Sequence, residues 1–377
     1  MYGGWECLIL LSDLNAMKNP IFFLSLLLLF SSCSEANKKE TTTEAESTRT
    51  PKNIILVEGD GTGLSQVSAA QFFKDGPSNY DRFPVIGLIK TSASSDLITD
   101  SAASATAFAS GVKTYNGAIG VTPDTIPVPT LIEIVSERNM NTGIIVTSTI
   151  THATPACFYA HVANRNLHED IASFLPTSGI DFFAGAGLKY FVNRKDEKNL
   201  LETLNNEGFT IDTISLKPYP NAEKLGFLLA PSSMLTMLEG RGNFLSDASS
   251  MAINKLNDNH GFFLMVEGSQ VDWGGHDNDA DYLITELIDL DNTLGTLLDF
   301  AEQDGETLII VTGDHETGGF TLASNGDNYN EIKPTFSTDG HSATMIPVFA
   351  YGPGAENFGG VYENTQIFHK ILELLSE

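Results

Sequence analysis

Four times along this chain a short apolar run stops abruptly at a cluster of acids, histidines and glycines, and this repetition limits the possible fold more than any other feature. Ile54-Ile55-Leu56-Val57 runs into Glu58-Gly59-Asp60-Gly61, Phe262–Val266 into Glu267–His276, and Thr307–Val311 into Asp314-His315. Thr142–Ser148 is followed by His152-Ala153-Thr154, and a fifth cluster, Gly340-His341, stands just upstream of Pro347-Val348-Phe349-Ala350. Runs this short, without the alternation of a half-wet strand, read as strands buried on both faces. Such a sheet is mainly parallel and carries helices on both sides. The expected fold is therefore α/β, a three-layer α/β/α sandwich around a central, mostly parallel sheet. In open sheets of that kind, ligand-binding groups collect beyond the carboxyl ends of the strands.

The stretch Thr99-Asp100-Ser101-Ala102-Ala103-Ser104-Ala105-Thr106-Ala107-Phe108-Ala109-Ser110-Gly111 predicts a helix built almost entirely of small residues. Alanine is the best helix former, Thr99, Asp100 and Ser101 are all competent caps, and Gly111 is a natural stop. Side chains this small let a helix lie close to a sheet. Its first turn offers free N–H groups and the positive end of the dipole, a ready anion site, and Ser101 stands there. Taken alone, the stretch fits an ordinary buried Ala/Ser helix equally well.

Between these landmarks strands and helices alternate. Leu64 to Phe73 reads as a helix, Pro84 to Thr91 as a strand, Leu131 to Arg138 as a short helix and 181–187 as a strand. Lys195 to Asn206 reads as an amphipathic helix, 210–243 as a strand or two and one short helix, and Ser246 to Leu256 as a helix. From Asp279 to Glu302, Leu283, Leu287, Leu290, Leu294 and Leu297 recur every three or four residues, the core-facing stripe of a long helix. Tyr362 to Leu375 reads as a closing amphipathic helix. No internal repeat and no linker interrupts 52–376, so one domain is expected.

The glycines of Gly59-Asp60-Gly61-Thr62-Gly63 lack both the spaced Rossmann fingerprint and the Lys-Ser/Thr of a P-loop, which argues against a nucleotide cofactor. Net charge is −27, from 21 basic against 48 acidic residues, which argues against nucleic acid as a main partner. An acidic surface suits solubility outside the cell or in a salty habitat, and helps hold divalent cations nearby.

At the N-terminus, Met17-Lys18-Asn19-Pro20 leads into the ten-residue apolar core Ile21–Phe30, too short to span a membrane but suited to a secretion signal. Ser31-Ser32-Cys33 resembles a bacterial lipoprotein box with Cys33 as the acylated residue. The expected organisation is an upstream extension over 1–16 (with Met17 a candidate start), a lipoprotein signal over 17–32, a lipid attachment and polar linker over 33–51, and the folded domain over 52–377. The expected location is the periplasm or cell envelope, with a lipid anchor. Cys157 is then the one cysteine left for the interior, which leaves no internal disulfide and reads as a packed core thiol.

Taken together, the clusters resemble the alkaline phosphatase family. Asn53–Gly63, Thr99–Gly117 and Glu267–His276 read like its metal and nucleophile motifs, and the resemblance covers nearly all of 52–376. It implies that 52–377 is a catalytic domain that hydrolyses small phosphate monoesters through a phosphoserine at Ser101 and releases inorganic phosphate. It implies two Zn2+ and one Mg2+. Asp272, His276 and His341 form one zinc set; Asp60, Asp314 and His315, with the Ser101 oxygen, form the other. Asp60, Thr154 and Glu267 supply the oxygen donors for Mg2+. Arg165 is implied as the clamp on the phosphoryl oxygens and Asp100 as the residue that orients it, while His161 and His168 are left structural. A homodimer is implied by the family's habit alone.

Two positions depart from the best-known bacterial pattern, which has an aspartate where His152 stands and a lysine where Trp273 stands. Some marine and cold-adapted members resemble this chain at both. Trp273 and His152 are accordingly expected to border the phosphate pocket, with product held less tightly and Mg2+ held more loosely. Only 25 residues separate His315 from His341, which leaves little room for the surface crown common in the family. The alternatives are a phosphodiesterase or other esterase of the same superfamily, and a phosphate- or metal-binding lipoprotein without turnover. A sulfatase would need a Cys/Ser-x-Pro-x-Arg context that Ser101-Ala102-Ala103-Ser104-Ala105 lacks.

Overall fold

Seven consecutive buried residues make up strand β1 (Asn53–Gly59), which stands in the middle of a ten-stranded sheet. The computed structural model describes residues 50–376; the expected signal, the expected acylation site Cys33 and nearly all of the expected linker lie outside the described residues. The further strands are β2 (Val85–Lys90), β3 (Asn141–Thr149), β4 (Phe182–Ala186), β5 (Phe209–Asp212), β6 (Lys224–Leu228), β7 (Phe262–Gly268) and β8 (Thr307–Thr312). Then come β9 (Glu316–Thr317), β10 (Thr321–Asn325), β11 (Asn328–Thr335), β12 (His341–Ser342), β13 (Ile346–Tyr351) and β14 (Gly360–Glu363). The sheet order is β14-β2-β13-β8-β1-β7-β3-β4-β6-β5. Every neighbouring pair is parallel except those of β13, which runs antiparallel to both β8 and β2.

Alternation along β1 sorts its side chains between the two cores. Ile54 and Leu56 pack with the Ser101–Ser110 helix and the C-terminal helix, whereas Ile55 and Val57 pack with the helices Phe244–Leu256 and Ala280–Asp304. This is the expected three-layer sandwich. A smaller apolar cluster lies between the Leu64–Phe73 helix and the N-terminal half of Ala280–Asp304. The latter helix starts where Asp279 accepts hydrogen bonds from the N–H groups of Asp281 and Tyr282, and stops at Gly305 in the left-handed region.

Three expected elements differ. The helix expected from Lys195 begins only at Leu200, because Asp196 and Asn199 use their side chains to accept the N–H groups of Lys198 and Leu201. Local bonds of this kind compete with helix and place the start later. The C-terminal helix is Thr365–Leu374; Tyr362 belongs instead to β14, where it pairs beside Ile89 along the sheet edge. Within 210–243 the structure has the end of β5 and all of β6 but no helix. In place of a crown, the His315–His341 interval holds the short hairpin β10–β11, and β9 pairs with β12. No helix among the described residues is long and apolar enough to cross a membrane.

Candidate active site

Ser101 is the first residue of its helix, and Asp100 is the cap. One Asp100 oxygen accepts the N–H of Ala103 at 3.0 Å, and the other accepts Arg165 Nη1 at 2.9 Å. A single carboxylate thus fixes both the start of the nucleophile's helix and the aim of a guanidinium arriving from a loop 65 residues further on. All ten residues of the helix are buried, as its small side chains allow.

Ser101 Oγ lies 3.3 Å from His315 Nε2, and around that pair the ends of β1, β7 and β8 bring the clusters together. His276 Nε2 is 3.4 Å and His341 Nε2 3.6 Å from the same Asp272 oxygen, and the two imidazole nitrogens are 3.2 Å apart. His315 Nε2 is 3.0 Å from Asp314 Oδ2 and 3.6 Å from Asp60 Oδ1. His152 joins Asp60 and Glu267 in a third group whose ligand atoms lie within 4.8 Å of one another. These distances unite eight of the nine residues of the implied metal sets, all but Thr154, in one place, and add His152.

The histidine tautomers follow from their outer contacts. His276 Nδ1 donates to the Asp339 carbonyl at 2.6 Å, and His341 Nδ1 donates to the Thr99 carbonyl at 2.8 Å. A carbonyl can only accept, so the proton sits on Nδ1 and the bare Nε2 faces inward. For His315 the partner is Thr317. Its hydroxyl donates to Asp272 Oδ1 at 2.5 Å and so accepts from His315 Nδ1 at 3.1 Å. Glu316 holds the neighbouring backbone in place by accepting from Gln66, Phe320 N and Ser342 Oγ.

The carboxylates are crowded and short of donors. Asp60 has no partner for either oxygen among the described residues, and neither Asp314 Oδ2, Glu267 Oε1, Thr154 Oγ1 nor His152 Nδ1 has one. Burial, reinforced by Asp314 and Asp272, raises the Asp60 carboxyl well above its ordinary range. Burial likewise pushes Glu267 up to about 7, against hydrogen bonds from Ser269 and Ser148. Asp314 goes the other way: burial works to raise it, but His315 holds it well below the usual carboxylate range. Burial takes His152 down to about 3, so it stands as a neutral ring, edge-on to Trp273 with centroids 5.9 Å apart. Orphaned oxygens packed among like charges, facing bare imidazole nitrogens, are the donor sets of cation sites.

Gly61 shows how tightly the cluster is drawn. Its φ is +73°, its N–H donates to Asp314 Oδ1 at 3.0 Å, and a Cβ there would come within 2.7 Å of the Asp272 backbone. Only glycine fits.

Comparison with known proteins agrees with this geometry. The family model described as alkaline phosphatase matches residues 51–335 and 323–376. The chain belongs to the alkaline phosphatase family. It is 31% identical to alkaline phosphatase 3 of Bacillus subtilis, over 86% of this chain and 89% of that protein. Alkaline phosphatase of Escherichia coli K12 is 30% identical, with 84% of each chain covered. Among solved structures, the alkaline phosphatase from the Antarctic bacterium TAB5 is 55% identical, with a TM-score of 0.86 over 87% of this chain and 98% of that one. A cold-active alkaline phosphatase from a psychrophilic Shewanella gives 28% and 0.79. The chain is a metal-binding phosphomonoester hydrolase, and these matches do not favour the diesterase or the non-catalytic alternative.

The remaining expectations have definite places. Cys157 is a buried thiol that donates to the Ala102 carbonyl. His161 bridges Glu133 and the Gly120 carbonyl, and His168 stacks on Tyr190 and bonds Thr151. Thr317, Glu316 and Asp339 are functional supports that sequence reasoning missed; the first two follow Asp314-His315 directly, and adjacency to that motif was the available signal.

Proposed function

We propose that Ser101 attacks the phosphorus of a small phosphate monoester and expels its alcohol as a phosphoserine forms, and that water then cleaves the phosphoserine to give inorganic phosphate and free Ser101. The observation that carries this reading is the meeting of Ser101 Oγ with His315 Nε2 at 3.3 Å, at a helix N-terminus. Asp272, His276 and His341 would hold one Zn2+, and Asp60, Asp314 and His315, with the Ser101 oxygen, a second. Asp60, Thr154 and Glu267 offer the all-oxygen set that suits Mg2+. Such cations, when bound, favour the serine alkoxide and neutralise charge on phosphoryl oxygens. Arg165, aimed by Asp100, clamps two phosphoryl oxygens with its planar fork, while the N–H groups of the Ser101 turn receive the charge that gathers in the transition state. Trp273 and His152 line the pocket beside the phosphate. Support for a third cation comes from a relative: variants of the TAB5 enzyme with a histidine changed to aspartate or glutamate hold Mg in a site called M3.

The reading extends to the whole chain as an exported homodimer, anchored through a lipid on Cys33. A single-chain mass in solution would exclude the dimer, and a mature first residue other than Cys33 would exclude the anchor.

Ser101→Ala tests the chemistry. The variant keeps its fold and metal content, loses the phosphoserine, and falls by about 10³ or more in turnover; residual hydrolysis from the remaining groups is allowed. Wild type quenched in acid with labelled monoester carries the label on Ser101. Label on Thr99 or Ser104 instead, or none during rapid turnover, overturns the assignment.

A further inference from the structure

Glu58 takes no part in the scheme above, yet its position is unusual for a carboxyl. It lies on β1 opposite Glu267 of β7 on one side and Thr312 of β8 on the other. Ile54 and Leu56 of β1 and Phe263 and Met265 of β7 belong to the same core, on the Ser101 side of the sheet. Side chains two apart share a face, so Glu58 and Glu267 project side by side onto that face. Glu58 is fully buried, and neither of its oxygens has a partner among the described residues.

Two polar groups of the layer above are already committed. Thr106 Oγ1 donates to the Ala118 carbonyl and Cys157 Sγ to the Ala102 carbonyl. A carboxyl with both oxygens unsatisfied is costly in an apolar interior, and Glu267 and Asp314 add like charge beside it. Glu267 Oε1, Thr154 Oγ1 and His152 Nδ1 share the same want of a partner. His152 brings an imidazole to this group and no negative charge. Glu58 stands beside Glu267, and Glu267 belongs with Asp60 and His152 to a group whose ligand atoms lie within 4.8 Å of one another, so a hydrated cation in that group is a remedy within reach of both glutamates.

We infer that Glu58 is a member of the third cation site, a second carboxylate beside Glu267 that holds the waters of a divalent ion seated by Asp60, Thr154 and Glu267. The inference rests on the proposed reading of that site. It makes the sheet itself a source of the charge that holds Mg2+, and separates Glu58 from the two zinc sets.

The test is a calorimetric titration of Mg2+ into the zinc-loaded full chain and into Glu58→Gln and Glu58→Leu. The expected result is a Kd for Mg2+ raised at least tenfold in both variants, more in the leucine variant, with zinc per chain unchanged. Unaltered Mg2+ affinity at unchanged zinc overturns the inference, as does a wild type that binds no Mg2+. A second measurement needs no variant: an anomalous-scattering map of wild type with Mn2+ in place of Mg2+. A peak about 4–5 Å from a Glu58 oxygen, one metal–water bond plus one hydrogen bond, supports the assignment, and a peak beyond about 6 Å overturns it. Neither readout uses hydrolysis. A wild type that binds Mg2+ in this way but cleaves no monoester would refute the proposed reaction and leave Glu58 in its place.

Discussion

Among the regions of this molecule that bury several charged or polar groups together, two are built in opposite ways. At Asp291, on the long Ala280–Asp304 helix, the carboxylate accepts from Lys74 Nζ, from Ser78 Oγ at 2.6 Å and from Asn79 N at 2.9 Å. The Asn79 side chain adds a bond to the Asp291 carbonyl at 2.8 Å. At the carboxyl ends of β1, β7 and β8, by contrast, Glu58, Asp60, Asp314 and Glu267 retain buried oxygens with no partner among the described residues. The first region is a cross-link: it ties the turn after the Leu64–Phe73 helix to the longest helix. The second gathers like charges that repel, which destabilises the fold unless a cation completes it. Buried charge that is satisfied from within the chain marks structure; buried charge left unsatisfied marks a site.

Removing metal gives the largest expected effect. Chelation abolishes monoesterase activity and lowers the melting temperature, and zinc with magnesium restores both. Each cation supplied at about a thousand times its Kd adds about 4 kcal/mol to stability, and each kcal/mol is worth about 2–4 °C in a domain of some 200 residues, less in a larger one. In the stripped protein Asp60→Asn raises the melting temperature, because it removes a like charge, whereas in the loaded protein it lowers it. A chelated sample that melts unchanged would break the contrast between the two regions.

Asp291→Asn comes next. It leaves the Lys74 ammonium without its counter-charge in a buried setting, at a cost of about 3–5 kcal/mol by urea titration. The loss has the same size with and without metals, and kcat at low temperature stays within about twofold, because Asp291 belongs to none of the clusters. A loss that vanished on chelation would show that the Asp291 cross-link is coupled to the cation sites after all.

The same contrast explains how far the sequence could be read. Runs such as Ile54–Val57 and Phe262–Val266 announce central strands because their apolar pattern is local, and Asp100 announces a cap for the same reason. The site motifs were legible because each lies at the end of such a run. What completes them was not. Thr317 reaches Asp272 across 45 positions, and His341 is fixed by the Thr99 carbonyl across 242. A backbone carbonyl has no residue signature, and a threonine after a motif looks like any other. Glu58 was hidden for a different reason: beside Gly59-Asp60-Gly61 it reads as part of a turn, and only the strand register places it next to Glu267. The late start at Leu200 and the edge strand at Tyr362 were missed because side-chain-to-backbone bonds and edge pairing leave no periodic trace.

The smallest expected effect comes from adding a cation to the unsatisfied region through the chain itself. Trp273 is half-buried, follows Asp272 on the short Val271–His276 helix, and meets His152 edge-on. Its ring carries no charge, so around the product the chain offers Arg165 as its cation, together with whatever metals are bound. Trp273→Lys places an ammonium beside the departing phosphate, and partial exposure to water limits its worth to about one tenfold step, or about 1.4 kcal/mol. Inorganic phosphate therefore inhibits the variant about ten times more tightly. If product release limits turnover, kcat falls as well while the pre-steady-state burst keeps its amplitude, since the lysine acts after the phosphoserine is gone. Both proteins are compared at matched zinc and magnesium content, because a cation that displaced Mg2+ would imitate the effect. Unchanged phosphate inhibition with intact metals would mean that position 273 does not face the product, and that the indole serves only to pack against His152.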